Sequence, residues 1–384
     1  MSMNKICSRT ILERDRQNLY LKIIFWSFLS QMIFTINKRL LASIPYGTVI
    51  AAMLAFPYLI SLLIKFILTT KIRINGKIVA VFLLVSCLYL ISYLNGVPSD
   101  KVAFYYLETI YCLSLLHFSY SLNKIDELYD IFAKNGFLIT LLSALIIFVD
   151  RSTFAYNMHF SYILSLILFV HTAEFLKHKT ISSGLLALIE LILIIIYGSR
   201  GPILCFIVFL FLYVLLDNRK NSIKVAFSIG LTLIAIYIEN ILAFIRSLVK
   251  NANVNSRTLS LLVENIGHMS GRDVIASASI ELIKEHPVTG LGIIGEFKYL
   301  EDYPHNFILD MFLHWGIVLG LILILLVLYI TISALAISKG KIKTILLVFI
   351  CYGFVMLFFS GTYLSCDGFY IMLGIALNIR KKVD

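Results

Sequence analysis

Charge is what this sequence has least of. Asp, Glu, Lys and Arg together make up 14% of the 384 residues, against 60% hydrophobic residues and a mean hydropathy of +0.91. That balance excludes the soluble globular class, whose chains are far more polar. Cysteine is equally uninformative as scaffolding. Four of the six (Cys87, Cys112, Cys205 and Cys351) fall inside apolar runs, which excludes a disulfide framework and any metal-type Cys spacing. No Asp-x-Asp occurs, and neither an internal repeat nor a low-complexity tract is present. A soluble basic face with interleaved aromatics is also missing, so the net charge of +11 does not point to nucleic acid.

What the chain has in abundance is long apolar runs. A helix crossing a hydrocarbon core of about 30 Å needs about 17 to 25 residues. Twelve runs approach or meet that length, at 20–37, 47–69, 78–95, 102–122, 136–151, 157–176, 181–198, 202–217, 224–240, 306–337, 343–361 and 367–380. The expectation is an all-α polytopic membrane protein with one membrane domain spanning 1–384. The tenth run is too long for one straight crossing and divides into a lip or re-entrant piece, 306–314, and a crossing helix, 316–337. The first run follows about twenty polar residues without a small-residue cleavage site and reads as a retained helix. Lys and Arg concentrate in alternate short segments, among them "TKIRINGK", "DNRKNSIK", "SKGKIK" and "NIRKK". By the positive-inside rule both termini are cytoplasmic, and the one sizeable loop, 241–304 between the ninth and tenth spans, faces the exterior.

Polar groups are costly in a bilayer, so their placement carries information. On this topology they gather on the outer side. "YGSRGPIL" (197–204) makes a tight external turn, and Pro202 suits the start of the eighth span. Arg200 then stands near a helix N-terminus, where it either holds an anion such as phosphate or snorkels to lipid headgroups. The large loop carries Arg257 and Arg272. Its segment 270–297 suggests an amphipathic helix ended by Pro287, lying on the membrane surface or acting as a flap, with Gly290, Gly292 and Gly295 in a flexible turn behind it. Beyond comes "YPHNFILDMFLHWGIVLG". Pro304 precedes His305, and Asn306 is placed to cap a helix beginning at Phe307. A neutral imidazole at that entrance can take a proton from a hydroxyl group, although a lone His at a membrane interface is more often structural. Asp310 and His314, four residues apart, share a helix face. Glu190, midway along the seventh span, is either functional or a hydrogen-bonding tie between helices.

The order "SRGPIL", then a large external loop carrying "GR" and "EHPVTGLG", then "HN" with "GIVLG" nine residues on, resembles the O-antigen ligase/polymerase superfamily. The family's Arg-x-x-x-Leu pattern fits Arg200 to Leu204, and its His-Asn-x9-Gly pattern fits His305, Asn306 and Gly316. The likeness covers roughly 190–320. It implies a glycosyltransferase of the cytoplasmic (inner) membrane whose active site faces outward. A polyprenyl-diphosphate-linked oligosaccharide would be the donor, and a second lipid-linked unit (polymerase) or lipid A core (ligase) the acceptor. It further implies His305 as general base, Arg200 and Arg272 as diphosphate contacts, and Asn306, Asp310, His314, Arg257 and Glu190 as supporting residues. Inversion by direct displacement, no metal and no cofactor, and flippase and chain-length-regulator partners complete the expectation. Ligases commonly follow that Gly with Thr or Tyr, whereas Gly316 is followed by Ile317, Val318, Leu319 and Gly320, which favours polymerase. A flippase for the same glycans is the competing reading. It fits less well, because transporters usually show paired repeats and polar broken helices at the midplane.

Overall fold

The computed structural model describes residues 3–70, 76–149, 158–197, 200–216, 230 and 272–382. Every regular element among them is helical. In chain order they are α1 (Met3–Leu40), α2 (Gly47–Ala55), α3 (Pro57–Thr70), α4 (Gly76–Leu94), α5 (Ser99–Tyr120), α6 (Asp126–Val149), α7 (Met158–His178), α8 (Ile181–Tyr197), α9 (Arg200–Leu215), α10 (Arg272–Glu285), a 3-10 turn (Gly295–Lys298), α11 (Phe307–Ile337), α12 (Gly340–Phe349) and α13 (Asp367–Lys381). Eleven of the twelve apolar runs fall on these helices. The ninth, 224–240, lies outside the described residues apart from Gly230.

Five of the described helices are long and apolar enough to cross a membrane, and the bent pair α2–α3 makes a sixth. The bend of 52° falls where Pro57 opens α3, because proline cannot donate to the preceding turn. The other helices fall short of a full span for visible reasons. Those around 79–94, 181–197 and 201–215 are apolar but brief, while α5 carries Asp100, Lys101 and Glu108. Along α11 Val318, Leu325 and Ile332 are each more than half exposed at seven-residue intervals, an apolar stripe along one face suited to lipid.

The interior is filled by aromatics and small residues. Phe28, Phe132, Phe349 and Tyr352 pack edge to face and join α1, α6 and α12. The helical path continues beyond α12 through a π turn, Ile350–Phe354. Here Gly353 lies against the Gly368 backbone, and Gly374 of α13 against Ser119 of α5, so closely that no side chain fits at either position. Small residues allow such close backbone approach between membrane helices. Asn378 strengthens the α5–α13 contact by donating to the carbonyls of Ser119 and Leu122.

The division expected within the tenth run is real and falls at Gly316, whose φ of 72° and ψ of 171° interrupt α11. Only glycine adopts that conformation readily. Into the break docks the chain that follows α10. Ile317 N–H donates to the Pro287 carbonyl and Leu291 N–H to the Leu313 carbonyl, while a Cβ on Gly316 would strike the Val288 carbonyl. A Cβ on Gly290, at φ 64°, would likewise strike the Gly316 nitrogen and the Leu313 carbonyl. The glycine turn expected to be flexible is therefore pinned. The helix expected over 270–297 is α10, and its Leu282 and Ile283 pack on Leu313 instead of lying free on the surface. Gly316→Ala should destabilise the protein by about 3 kcal/mol, from backbone strain and collision together, read as a lowered thermal midpoint in detergent. A midpoint equal to wild type would show that the break tolerates a side chain.

Candidate functional site

His305 and Asn306 form the entrance to α11. The Asn306 side chain accepts from the amides of Ile308 and Leu309, closing two otherwise open donors of the first turn. The next residue, Phe307, is buried among Phe354, Phe358, Tyr363 and Phe369 and drives the entrance into the bundle. His305 is held in the left-handed region at φ 54°, which histidine tolerates better than most residues. Its Nε2 lies 3.5 Å from Asp302 Oδ2, its ring rests on Tyr303 at 4.3 Å between centroids, and its buried Nδ1 has no hydrogen-bond partner. Burial works to raise the Asp302 carboxyl, but the His305 imidazole, the Tyr303 amide and Lys101 outweigh it and hold it below the ordinary carboxylate range. A lowered carboxyl contributes above the ordinary range and loses that contribution only as pH falls through the lowered value. Asp302 therefore stays ionised at neutral pH.

Asp310 and His314 share a face as expected, and that face is buried. His314 pairs through Nε2 with Glu296 at 3.0 Å and through Nδ1 with the Tyr363 hydroxyl at 2.9 Å, to which Trp315 also donates. Asp310 has no exposed surface, and neither of its oxygens completes a hydrogen bond of ordinary geometry. One ligand atom from each of Glu296, Asp310 and His314 falls within 4.8 Å of the others. The group has the donor types of a cation site, yet both His314 nitrogens are already engaged. Its evident work is to tie the 3-10 turn and the 360s segment to α11 beneath His305.

Arg272 opens α10. Its guanidinium donates to the Phe359 carbonyl and approaches the Met158 sulfur, which leaves others of its five N–H donors available. Arg200 begins α9, two residues ahead of the expected start, and Pro202 falls in the first turn, where a missing N–H costs nothing. The Arg200 side chain and all of Arg257 lie outside the described residues. Glu190 belongs elsewhere. It is fully buried, with Oε1 accepting from Thr140 at 2.6 Å and meeting His171 Nδ1 at 2.7 Å, an arrangement that joins α6, α7 and α8.

These elements surround a cavity of about 530 Å³. Tyr303, on which His305 rests, lines it, as do Met158 and Ser360 beside Arg272. Tyr162 lines it too, with its hydroxyl against Gly201, the neighbour of Arg200. Its wall also holds Gln31, Glu108, Tyr111, Tyr352 and Asp367. None of these was singled out by sequence reasoning, nor were Asp302 and Glu296. Glu108 and Asp367, ionisable groups within apolar runs, were the signal available. Asp302, three residues before His305, had none.

A bundle of apolar helices around a cavity lined by Tyr303 and Met158, the neighbours of His305 and Arg272, defines a polytopic membrane protein with an internal polar site. Residues 185–324, running from α8 through the break in α11, match the family model described as O-antigen ligase. The match covers less than half of the chain and supports the O-antigen ligase/polymerase superfamily. No curated protein and no solved structure matches the chain.

Two outcomes follow. In His305→Ala the Asp302 carboxyl should titrate at higher pH than in wild type, because the largest lowering influence is gone; a carbonyl-carbon NMR titration measures it, and an unmoved midpoint would separate the two residues. Glu190→Ala should cost about 2 kcal/mol by stranding His171 and Thr140, with Glu190→Gln retaining part of that, both read by thermal denaturation.

Proposed function

We infer that the protein is a membrane glycosyltransferase polymerising polyprenyl-diphosphate-linked oligosaccharide repeat units, into O-antigen or capsular polysaccharide, on the outer face of the cytoplasmic membrane. The observation that carries this reading is the shared cavity: neighbours of His305, of Arg272 and of Arg200 all line it. The topology expected from Lys and Arg supports it as well. On that topology Met158, Ser360 and Asp367 fall at the outer ends of their helices, and Gln31 and Glu108 in the outer halves of theirs.

The chemistry must activate a weak nucleophile and stabilise a diphosphate leaving group. Asp302 engages Nε2 of His305, leaving the unpartnered Nδ1 to take the proton of an acceptor sugar hydroxyl. The hydroxyl oxygen then bonds to the donor's anomeric carbon from the face opposite the diphosphate. The bond from that carbon to the phosphate oxygen breaks, its electron pair leaves with the diphosphate, and the configuration inverts. Arg272 and Arg200 receive the leaving charge through charge-assisted, planar hydrogen bonds. Diphosphate needs no proton to depart, so no second acid is asked of the site.

Transfer of finished polymer to lipid A core is the second reading, favoured by the matching model's own description, O-antigen ligase. The two readings share the base and the clamp and differ in the acceptor.

A deletion strain separates them. Lipid cores capped with a single repeat show a lost polymerase. Uncapped cores with accumulated lipid-linked polymer show a lost ligase, and repeats retained on the inner face show a lost flippase. On complementation, His305→Ala should reduce long glycan by at least about a hundredfold at unchanged protein level. Arg272→Lys, which keeps charge but not the planar fork, should reduce it about tenfold. Normal glycan in His305→Ala would remove the base from the mechanism.

A further inference from the structure

Part of the cavity wall is acidic and aromatic. Asp367 is held at the start of α13 by three donors, Gln31 Nε2 at 3.1 Å, the Tyr352 hydroxyl at 3.2 Å and the Gly368 amide at 2.6 Å. Gln31 also donates to the Tyr111 hydroxyl at 2.9 Å, which fixes its amide plane. Glu108, on α5, lies within electrostatic reach of Asp367 and makes no hydrogen bond or ion pair with any described residue. No Lys, Arg or His is among the described residues lining the cavity. A half-buried carboxylate on a cavity wall with no partner among the described residues is open to donors from a ligand.

We propose that Glu108 and Asp367, with Gln31 and the rings of Tyr111 and Tyr352, form a sugar subsite that accepts neutral or amino sugars and rejects anionic ones such as uronic acids. This deepens the glycosyltransferase reading and rests on it for the identity of the occupant as a glycan. Carboxylates accept from hydroxyl, amide or ammonium groups, and aromatic faces receive the C–H faces of a pyranose ring. The same carboxylates repel a sugar carboxylate in a poorly screened cavity. The carboxylates on the cavity wall then meet sugar, and Arg272, which approaches the lining residue Met158, lies toward the diphosphate. The acidic wall comes from α1, α5 and α13, all outside the matched segment 185–324. Shared chemistry and glycan choice are thus carried by different parts of the chain.

The test is saturation-transfer NMR on the full chain in lipid nanodiscs, with the methyl glycosides of glucose, glucosamine and glucuronic acid as probes. Transfer to the glucoside and glucosaminide should exceed transfer to the glucuronide at least threefold. Glu108→Gln keeps size and removes charge at a position with no described partner, so it should fold with a wild-type thermal midpoint and lower the glucosaminide-to-glucuronide ratio at least threefold. Equal transfer to all three sugars in wild type overturns the proposal however the variant behaves, and an unchanged ratio in folded Glu108→Gln overturns it as well. His305→Ala should retain the discrimination. Unchanged glycan in the deletion strain overturns the transferase reading, while discrimination between the glycosides still supports the subsite.

Discussion

The site depends on the way two glycines let two backbones meet. Gly316 interrupts α11 in a conformation open to glycine alone, and Gly290 brings the returning chain against it until carbonyls and amides of the two segments pair directly. Any side chain at either point would hold the segments apart. Once docked, the returning chain delivers Glu296 to His314, and the Glu296–His314–Tyr363 ties fix the floor above which Asp302, Tyr303 and His305 are held. A break in a membrane helix is tolerated where neighbouring backbone re-satisfies the freed groups, and here the Pro287 carbonyl and the Leu291 amide do so.

This gives a physical reason for the spacing between "HN" and the later glycine. Asn306 must cap the first turn, Phe307 must reach the aromatic cluster, and Asp310 and His314 must face inward from the second and third turns. Only then does the break at Gly316 come level with the loop that ends α10. The nine intervening residues measure the length of a short helix anchored at both ends. His305 sits just outside the anchored piece, in a left-handed conformation that the Asn306 cap and the Tyr303 ring help to impose. Strain of this kind persists where surrounding contacts over-determine it, and here those contacts also orient the imidazole.

The two carboxylate groupings in the bundle illustrate how one residue type serves different ends. Glu190 is enclosed by Thr140 and His171 and joins three helices, the hydrogen-bonding alternative among the two roles its mid-span position suggested. Glu108 has the same composition and a similar apolar neighbourhood in sequence but borders a cavity with no partner. Glu190 is enclosed by protein groups, whereas Glu108 meets the cavity.

The sequence by itself determined the class of the molecule, because hydrophobic runs and the scarcity of charge depend only on composition and order. It also determined the helix entrance at Asn306, the division of the tenth run and the start of α9 to within two residues, since caps, glycines and prolines act locally. Asp302, Glu296 and the Gln31–Glu108–Asp367 wall were decided by tertiary structure alone. They lie far apart along the chain, and nothing local distinguishes a carboxylate that will be enclosed by partners from one that will face a cavity. Which segments converge is set by packing: the α5–α13 contact through Gly374 and Ser119 brings Glu108 and Asp367 to one wall, and the Gly290–Gly316 contact brings His305 to the cavity's edge. Local chemistry wrote the elements, and close backbone approach at small residues chose their neighbours.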